Sequence, residues 1–152
     1  MIDGNKIIEC ALKYEGLTEN PPDSNKTIFG EWAKLNGVSW CGLFVSKCYF
    51  DANYPLPKIG FKFSGFAGCQ TAFQYFKEKG WITKTPVKGD IVLFDWNNDG
   101  RYDHTGIFIE KISDTKFKSI EGNTSLNNDS NGGQVMQRVR SYSVAIFIHP
   151  QI

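Results

Sequence analysis

The first half of the chain carries its apolar residues at the three- and four-residue spacing of amphipathic helices. Residues 3–14 show this spacing, with Asp3 placed to cap the start of the helix and Gly16 placed to end it. Further helices are predicted at residues 28–35, from Ser39 through residue 50, and at residues 66–79. The N-terminal half is therefore predicted to be helical.

The pattern changes after Gly89 to short segments that are rich in Val, Ile and Phe and bounded by turn residues. Five strands are predicted, at residues 90–94, 105–112, 116–121, 134–139 and 144–149. Helices first and strands afterwards are typical of an α+β domain with an antiparallel sheet. We therefore expect N-terminal helices packed on a C-terminal antiparallel β-sheet.

Length and composition narrow the class of protein further. The chain has 152 residues, of which 41% are hydrophobic and 22% charged, so residues 1–152 are predicted to form one globular domain. Its net charge of +1 predicts no bulk attraction to nucleic acid.

The apolar segments also bear on cellular location. The longest of them are strand-sized, which predicts no membrane insertion. The N-terminal residues lack the apolar stretch of a secretory signal peptide. We therefore expect either release by another route, as for a phage-encoded protein, or a domain that belongs to a longer protein.

Cys41 is the candidate nucleophile because it falls in the first turn of a predicted helix. The start of a helix carries free N–H groups and partial positive charge, which stabilise a thiolate and can bind a developing oxyanion. The neighbouring Gly42 is expected to leave room for a substrate backbone. A lone cysteine is more often structural, and Cys10, Cys48 and Cys69 have the pattern of buried free thiols. Cys41 therefore needs a base.

His104 is the candidate base, since it opens a predicted strand beside a polar loop, whereas His149 lies at the end of the last strand. If residues 113 and 114 form a two-residue hairpin turn, paired residue numbers sum to 227. That register places Asn123 opposite His104 and Glu121 two residues away on the same face. Either side chain could orient the imidazole, although polar residues are also common at hairpin ends without a catalytic role.

Five blocks of the sequence together resemble the CHAP domain, a family of cysteine- and histidine-dependent amidohydrolases and peptidases with a papain-like fold. The blocks are ENPPDSNKTIFGEW at residues 19–32, WCGLFVS at 40–46, GDIVLF at 89–94, DHTGI at 103–107 and IEGNT at 120–124. The resemblance covers nearly the whole chain, and the ordered set of blocks is specific, whereas any one block is not.

The resemblance implies roles for four residues. Cys41 would be the nucleophile, His104 the general base and later acid, and Glu121 the residue that orients His104. Asn123 would assist, either at the imidazole or in shaping the site. The implied substrate is bacterial peptidoglycan, cut at the amide between N-acetylmuramic acid and L-alanine or within the stem peptide or cross-bridge, as in phage endolysins and bacterial autolysins.

Two further residues are candidates for substrate binding. Trp40 is expected to line the site because it directly precedes Cys41. Asn25, in the loop that comes before the catalytic helix, is a candidate second oxyanion donor.

A polar loop before His104 resembles the first half of a calcium-binding EF-hand loop, with Asp95, Asn97 and Asp99 at alternate positions. The twelfth position, which should be a bidentate Glu, is Gly106, and the loop joins two strands rather than two helices. A polar hairpin loop is therefore the favoured interpretation, and a calcium ion that orders the active site is the alternative. Hydrolysis by a thiolate itself requires no cofactor.

Two other functions stay open at this stage. A non-catalytic wall-binding module could use the same fold, although the complete set of Cys41, His104 and Glu121 argues against it. An unrelated thiol peptidase is the second, and neither charge nor length excludes it.

Overall fold

A computed structural model describes all 152 residues and shows helices packed with a six-stranded antiparallel sheet. The helices are α1 (Gly4–Leu12), α2 (Ile28–Ala33), α3 (Cys41–Asp51) and α4 (Cys69–Glu78). The strands are β1 (Ile82–Thr83), β2 (Ile91–Phe94), β3 (His104–Lys111), β4 (Lys116–Thr124), β5 (Gln134–Ser141) and β6 (Ala145–Ile148), the last preceded by a 3₁₀ turn at Tyr142–Val144. The predicted α+β architecture is confirmed, and it is consistent with a papain-like fold.

The sheet has the order β1–β6–β2–β3–β4–β5, and every pairing is antiparallel. The last strand of the chain therefore lies between the first two. Helix α3 packs against both β3 and β4. The start of α3 is thus brought to the two strands that carry the histidine and the carboxylate of the candidate site.

The ends of the elements agree with the sequence pattern at some positions and differ at others. The Asp3 carboxylate accepts two backbone N–H groups at the start of α1, as predicted. Helix α3 begins later than expected, with Trp40 rather than Ser39 as its N-cap and no side-chain cap. Helix α4 begins at Cys69 instead of residue 66. Strand β1 is absent from the sequence prediction, because two residues are too few to show a periodic pattern.

Apolar side chains cover both faces of the sheet. Because successive strand residues point to opposite faces, the four consecutive buried residues of β2 serve two cores. The face toward the helices contributes to a large core that includes Ile91, Leu93, Ile107, Ile120 and Val135. The opposite face carries a smaller cluster of Val92, Phe94, Phe108, Phe117 and Phe147.

The β3–β4 hairpin reaches the predicted register by a different route. Ile112 donates its N–H to the carbonyl of Lys116, so the turn has three residues instead of two. A bulge between Phe108 and Glu110 then adds a residue to β3. The two changes compensate, and Ile107 pairs with Ile120 as the predicted register requires.

Candidate active site

Cys41 is the first residue of α3, where the backbone keeps free hydrogen-bond donors. The first hydrogen bond of this helix runs from the N–H of Phe44 to the carbonyl of Trp40, so the N–H groups of residues 41–43 are not used within the helix. The Cys41 side chain is almost fully buried, at 3% exposed. This start of α3 can stabilise negative charge on sulfur and on an oxygen bound next to it.

His104 and Glu121 are brought together on β3 and β4. The Nε2 atom of His104 lies 2.9 Å from Oε1 of Glu121, and both side chains are fully buried. Gly106 permits this approach, because a Cβ atom there would lie 2.6 Å from Cγ of Glu121. The carboxylate holds one ring nitrogen, and the other, Nδ1, is buried without a hydrogen-bond partner. Nδ1 is therefore the nitrogen left to exchange a proton with the thiol of Cys41.

The surroundings favour the ionised forms of this pair. Burial acts to raise the pKa of Glu121, but hydrogen bonds and charge from Arg140 and His104 outweigh it and lower that pKa to about 2. Burial acts to lower the pKa of His104, but Cys41 and Glu121 outweigh it and raise that pKa to about 9. At neutral pH the histidine is thus an imidazolium against a carboxylate.

The thiol of Cys41 loses its proton more readily than an ordinary cysteine. A hydrogen bond from Cys69 is the largest cause of its lowered pKa; burial opposes it, and His104 and Ser39 lower the pKa further. The two sulfur atoms lie 3.9 Å apart. The contact with Cys41, together with burial, raises the pKa of Cys69 well above its ordinary value. The position of Cys41 at the start of α3 and beside His104 favours Cys41 as the thiolate of the pair, with Cys69 as the donor.

Two residues contact the site although the sequence pattern does not predict that they do. Cys69 has the pattern of a structural thiol, since it lies among apolar residues in a separate helix. Arg140 binds both carboxylate oxygens of Glu121, through Nε to Oε2 at 2.9 Å and through Nη2 to Oε1 at 2.6 Å. It lies beyond the predicted end of its strand, and a side-chain contact between β5 and β4 leaves no local signal in the sequence.

Asn123 lies close to the site, but its hydrogen bonds run to residues other than His104. Its Nδ2 donates to Ser39 Oγ at 3.2 Å, and its Oδ1 accepts the N–H of Gly133 at 3.0 Å. Its backbone adopts a left-handed conformation with φ 61°. Asn123 thus joins the segment before Cys41 to the β4–β5 loop, a position suited to shaping the site.

Trp40 and Gly42 differ from their expected roles. The Trp40 side chain has no exposed surface, stacks on Phe29 at 5.5 Å and donates its Nε1–H to Glu19 at 2.8 Å. It is therefore a core residue, and its ring offers no surface to a substrate. The space beside Gly42 is occupied by the protein's own backbone rather than left for a substrate, since a Cβ atom there would lie 2.8 Å from the carbonyl oxygen of Phe66.

Asn25 lies in the loop between α1 and α2, and its backbone contributes to the structure of that loop. It has a left-handed conformation with φ 57°, and its carbonyl accepts the N–H of Gly37. Its side chain makes no hydrogen bond to Cys41 or to another residue of the site, so no contact of this structure supports its expected role as an oxyanion donor.

The polar loop at residues 95–100 is held together by its own hydrogen bonds. The Asp95 carboxylate accepts the N–H groups of Asp99 and Gly100 at 3.2 and 2.8 Å. In the orientation that satisfies its amide, Asn97 donates to both Asp95 and Asp99. The Asn97 side chain therefore turns its N–H groups toward the carboxylates, whereas a calcium ligand would have to turn its oxygen toward the ion. In addition, no group of three or more His, Cys, Asp or Glu side chains is placed to hold a metal ion. The calcium hypothesis is therefore not supported, and the contacts agree with the favoured interpretation of a polar hairpin loop.

A helix that begins at a cysteine and packs on strands carrying a histidine–carboxylate pair is an arrangement of the papain-like α+β class. The family model of the CHAP domain matches residues 33–123, more than half of the chain and the part that contains Cys41, His104 and Glu121. The chain belongs to the CHAP domain family. A comparison with curated protein sequences gives no match.

Membership in this family sets the general kind of activity. CHAP domains are usually cysteine- and histidine-dependent hydrolases that act as peptidoglycan amidases or peptidases, typically without a cofactor. The family thus indicates peptidoglycan as the substrate and the cell wall as the place of action. None of the helices has the length and apolar character needed to cross a membrane.

Proposed function

We propose that this chain hydrolyses an amide bond of bacterial peptidoglycan with Cys41 as the nucleophile. The bond is the N-acetylmuramoyl–L-alanine amide or an amide of the stem peptide or cross-bridge, and the biological role is wall lysis by a phage endolysin or a bacterial autolysin. The observation that carries the proposal is the contact of Glu121 with Nε2 of His104, which leaves Nδ1 for Cys41.

In the first half of the reaction the Cys41 thiolate attacks the carbonyl carbon of the scissile amide, and the carbonyl oxygen becomes an oxyanion. The free N–H groups at the start of α3 are the donors for this oxyanion. His104, protonated at Nδ1, gives its proton to the leaving amine as the C–N bond breaks. The products of this half are the amine and a thioester on Cys41.

In the second half, neutral His104 accepts a proton from water as the water oxygen attacks the thioester carbon. The C–S bond breaks, the carboxylic acid product leaves, and the thiolate–imidazolium pair is restored. Glu121 keeps Nε2 occupied throughout and stabilises the imidazolium each time it forms. Asn123 contributes by holding the segment before Cys41 in place.

Clearing of purified cell walls by the wild-type chain and by Cys41→Ala tests the proposal. We expect the variant to lose roughly 1,000-fold or more of the rate while it keeps its fold, because the nucleophile is removed. Cys48→Ala is the matched control, since Cys48 is equally buried in the same helix but has its pKa raised instead of lowered.

The released fragments identify the bond. New N-terminal L-alanine on otherwise intact stem peptides indicates an amidase, and cut stems or cross-bridges indicate an endopeptidase. Equal clearing by Cys41→Ala would contradict the nucleophile assignment. A wild-type chain that binds walls without releasing any fragment would support the wall-binding module instead.

A further inference from the structure

Arg140 is a buried charge that lies outside the five blocks resembling the CHAP domain, yet it meets the proposed catalytic machinery directly. Its guanidinium binds both oxygens of the Glu121 carboxylate, at 2.9 Å to Oε2 and 2.6 Å to Oε1. Oε1 is also the oxygen that lies 2.9 Å from Nε2 of His104. Such a two-point contact fixes the plane of a carboxylate as well as its position.

Other groups hold Arg140 itself in place. Its Nη1 donates to Asp129 in the β4–β5 loop at 2.8 Å. The guanidinium lies 4.8 Å from the ring centroid of Trp96. The Trp96 ring is in turn stacked against His104, with centroids 5.9 Å apart. Asp129 and Trp96 therefore fix the guanidinium in place while it binds the carboxylate.

We propose that Arg140 is a positioning residue that holds the Glu121 carboxylate in line with Nε2 of His104 and acts on hydrolysis only through Glu121. This inference rests on the proposed function, in which Glu121 orients the histidine. The hydroxyl of Ser119 donates to the Glu121 oxygen that Arg140 Nε also binds, so the carboxylate is held from β4 and β5 as well as from β3.

Ionisable groups surround His104 in two layers. The groups that act on His104 directly are Cys41 of α3 and Glu121 of β4. Behind them lie Cys69 of α4, next to Cys41, and the Arg140, Asp129 and Arg138 group of β5 and the β4–β5 loop, next to Glu121. Replacing Arg140 by lysine keeps the charge in this set but removes the planar two-point contact. A change in the pKa of His104 in this variant then reports on the position of the Glu121 carboxylate.

Arg138 provides a matched control on the same strand. It lies two residues before Arg140 and shares with it two partners, Asp129 and Thr124. Its hydrogen bonds do not include Glu121. The same substitution at Arg138 therefore disturbs the neighbouring loop without touching the carboxylate.

The experiment compares Arg140→Lys with Arg138→Lys by wall hydrolysis and by the titration of His104 in NMR spectra, assigned with His149→Gln. We expect Arg140→Lys to lower kcat by roughly 10- to 100-fold with little change in KM, as for loss of an outer hydrogen-bond partner of a functional side chain. A carboxylate that is no longer aligned stabilises the imidazolium less, so the pKa of His104 falls and the alkaline limb of the pH profile moves to lower pH. Arg138→Lys is expected to keep the wild-type profile.

Two outcomes would overturn the proposal. One is an Arg140→Lys variant with wild-type kcat and wild-type His104 titration. The other comes from the double variant Glu121→Gln/Arg140→Met, which removes both buried charges together and can be used if Arg140→Lys does not fold. A hydrolysis rate below that of Glu121→Gln alone would mean that Arg140 acts by a path other than Glu121. If the wild-type chain releases no wall fragments, the proposed function fails, but the His104 titration still tests the role of Arg140.

Discussion

Cys41 and Cys69 each begin a helix, and their sulfur atoms lie 3.9 Å apart. The helix start gives Cys41 a favourable field, but the contact with Cys69 is the largest cause of its lowered pKa. A thiol that donates to a thiolate must itself stay protonated, and the pKa of Cys69 is raised accordingly. The ionisation of the candidate nucleophile therefore depends on a second cysteine from a separate helix.

Cys69→Ala is expected to raise the pKa of the Cys41 thiol, because the variant removes the donor to the thiolate. The rate of iodoacetamide labelling at Cys41, measured against pH, should then have its midpoint at higher pH. Cys10→Ala, in helix α1, is the control that should leave the midpoint unchanged. An identical midpoint in Cys69→Ala and wild type would show that the second sulfur has no effect.

Single residues are predictable where a short local pattern marks them. Cys41 follows from its place at a helix start, and His104 and Glu121 follow from the hairpin register and from the family blocks. The contacts of Arg140 depend on long-range strand pairing, which no local pattern encodes. The position of Trp40 next to Cys41 predicts a place at the substrate, but neighbouring side chains at a helix start point in different directions, and its ring is turned into the core.

At the scale of elements, two glycines set how closely the parts of the site approach. Gly122, on β4, allows α3 to pack directly on the strand: a Cβ atom there would lie 2.6 Å from Cβ of Phe44 and 2.9 Å from the ring of Trp40. Gly106, on β3, leaves the space that the Glu121 side chain occupies. The glycines in the DHTGI and IEGNT blocks are thus explained by packing.

Gly122→Ala is expected to destabilise the fold by about 1–3 kcal/mol, because the helix and the strand must separate to admit the added carbon. Urea unfolding measures the loss. Gly68→Ala is the comparison, since a Cβ atom there meets nothing closer than Thr71 at 3.7 Å. Equal stability of Gly122→Ala and wild type would mean that α3 does not rest on β4 as closely as described.

The elements themselves are predictable to different degrees for physical reasons. Amphipathic helices and alternating strands leave a periodic signal, so α1 and the strands β2 to β6 lie within a few residues of their predicted positions. The predicted β3–β4 turn is wrong by one residue, because a bulge leaves no periodic signal of its own. Ile107 nevertheless pairs with Ile120 as the predicted register requires, since the bulge offsets the longer turn.

At the scale of the whole molecule, the sheet separates a large apolar core from a smaller aromatic cluster that adjoins buried charges. His104, Glu121 and Arg140 are all nearly inaccessible to water. Charges in such a place are stable only while each is paired, so the state of one carboxylate affects the stability of the entire fold. Glu121 is that carboxylate, because both the histidine and the arginine bind it.

The low pKa of Glu121 makes the free energy of unfolding depend on pH in the acid range. That pKa is lowered from 4.5 to about 2 in the folded chain, so the stabilisation is complete above pH 4.5 and is lost as the pH falls toward 2. The raised pKa of His104 acts at higher pH, because its stabilisation is complete below the ordinary value of 6.5 and is lost as the pH rises toward 9. A comparison between pH 5.5 and pH 3 therefore leaves out the contribution of the histidine, and the Glu121→Gln variant separates Glu121 from the other carboxylates.

Between pH 5.5 and pH 3 the free energy of unfolding should fall by about 2 kcal/mol more in wild type than in Glu121→Gln, as urea unfolding at each pH measures. Glu121→Gln is less stable throughout because Arg140 and His104 lose their buried carboxylate partner, so the comparison is made between the two pH values within each protein. Asp114→Asn, which removes an exposed carboxylate, should keep the wild-type dependence. Parallel curves for wild type and Glu121→Gln would show that Glu121 is not held ionised by its partners.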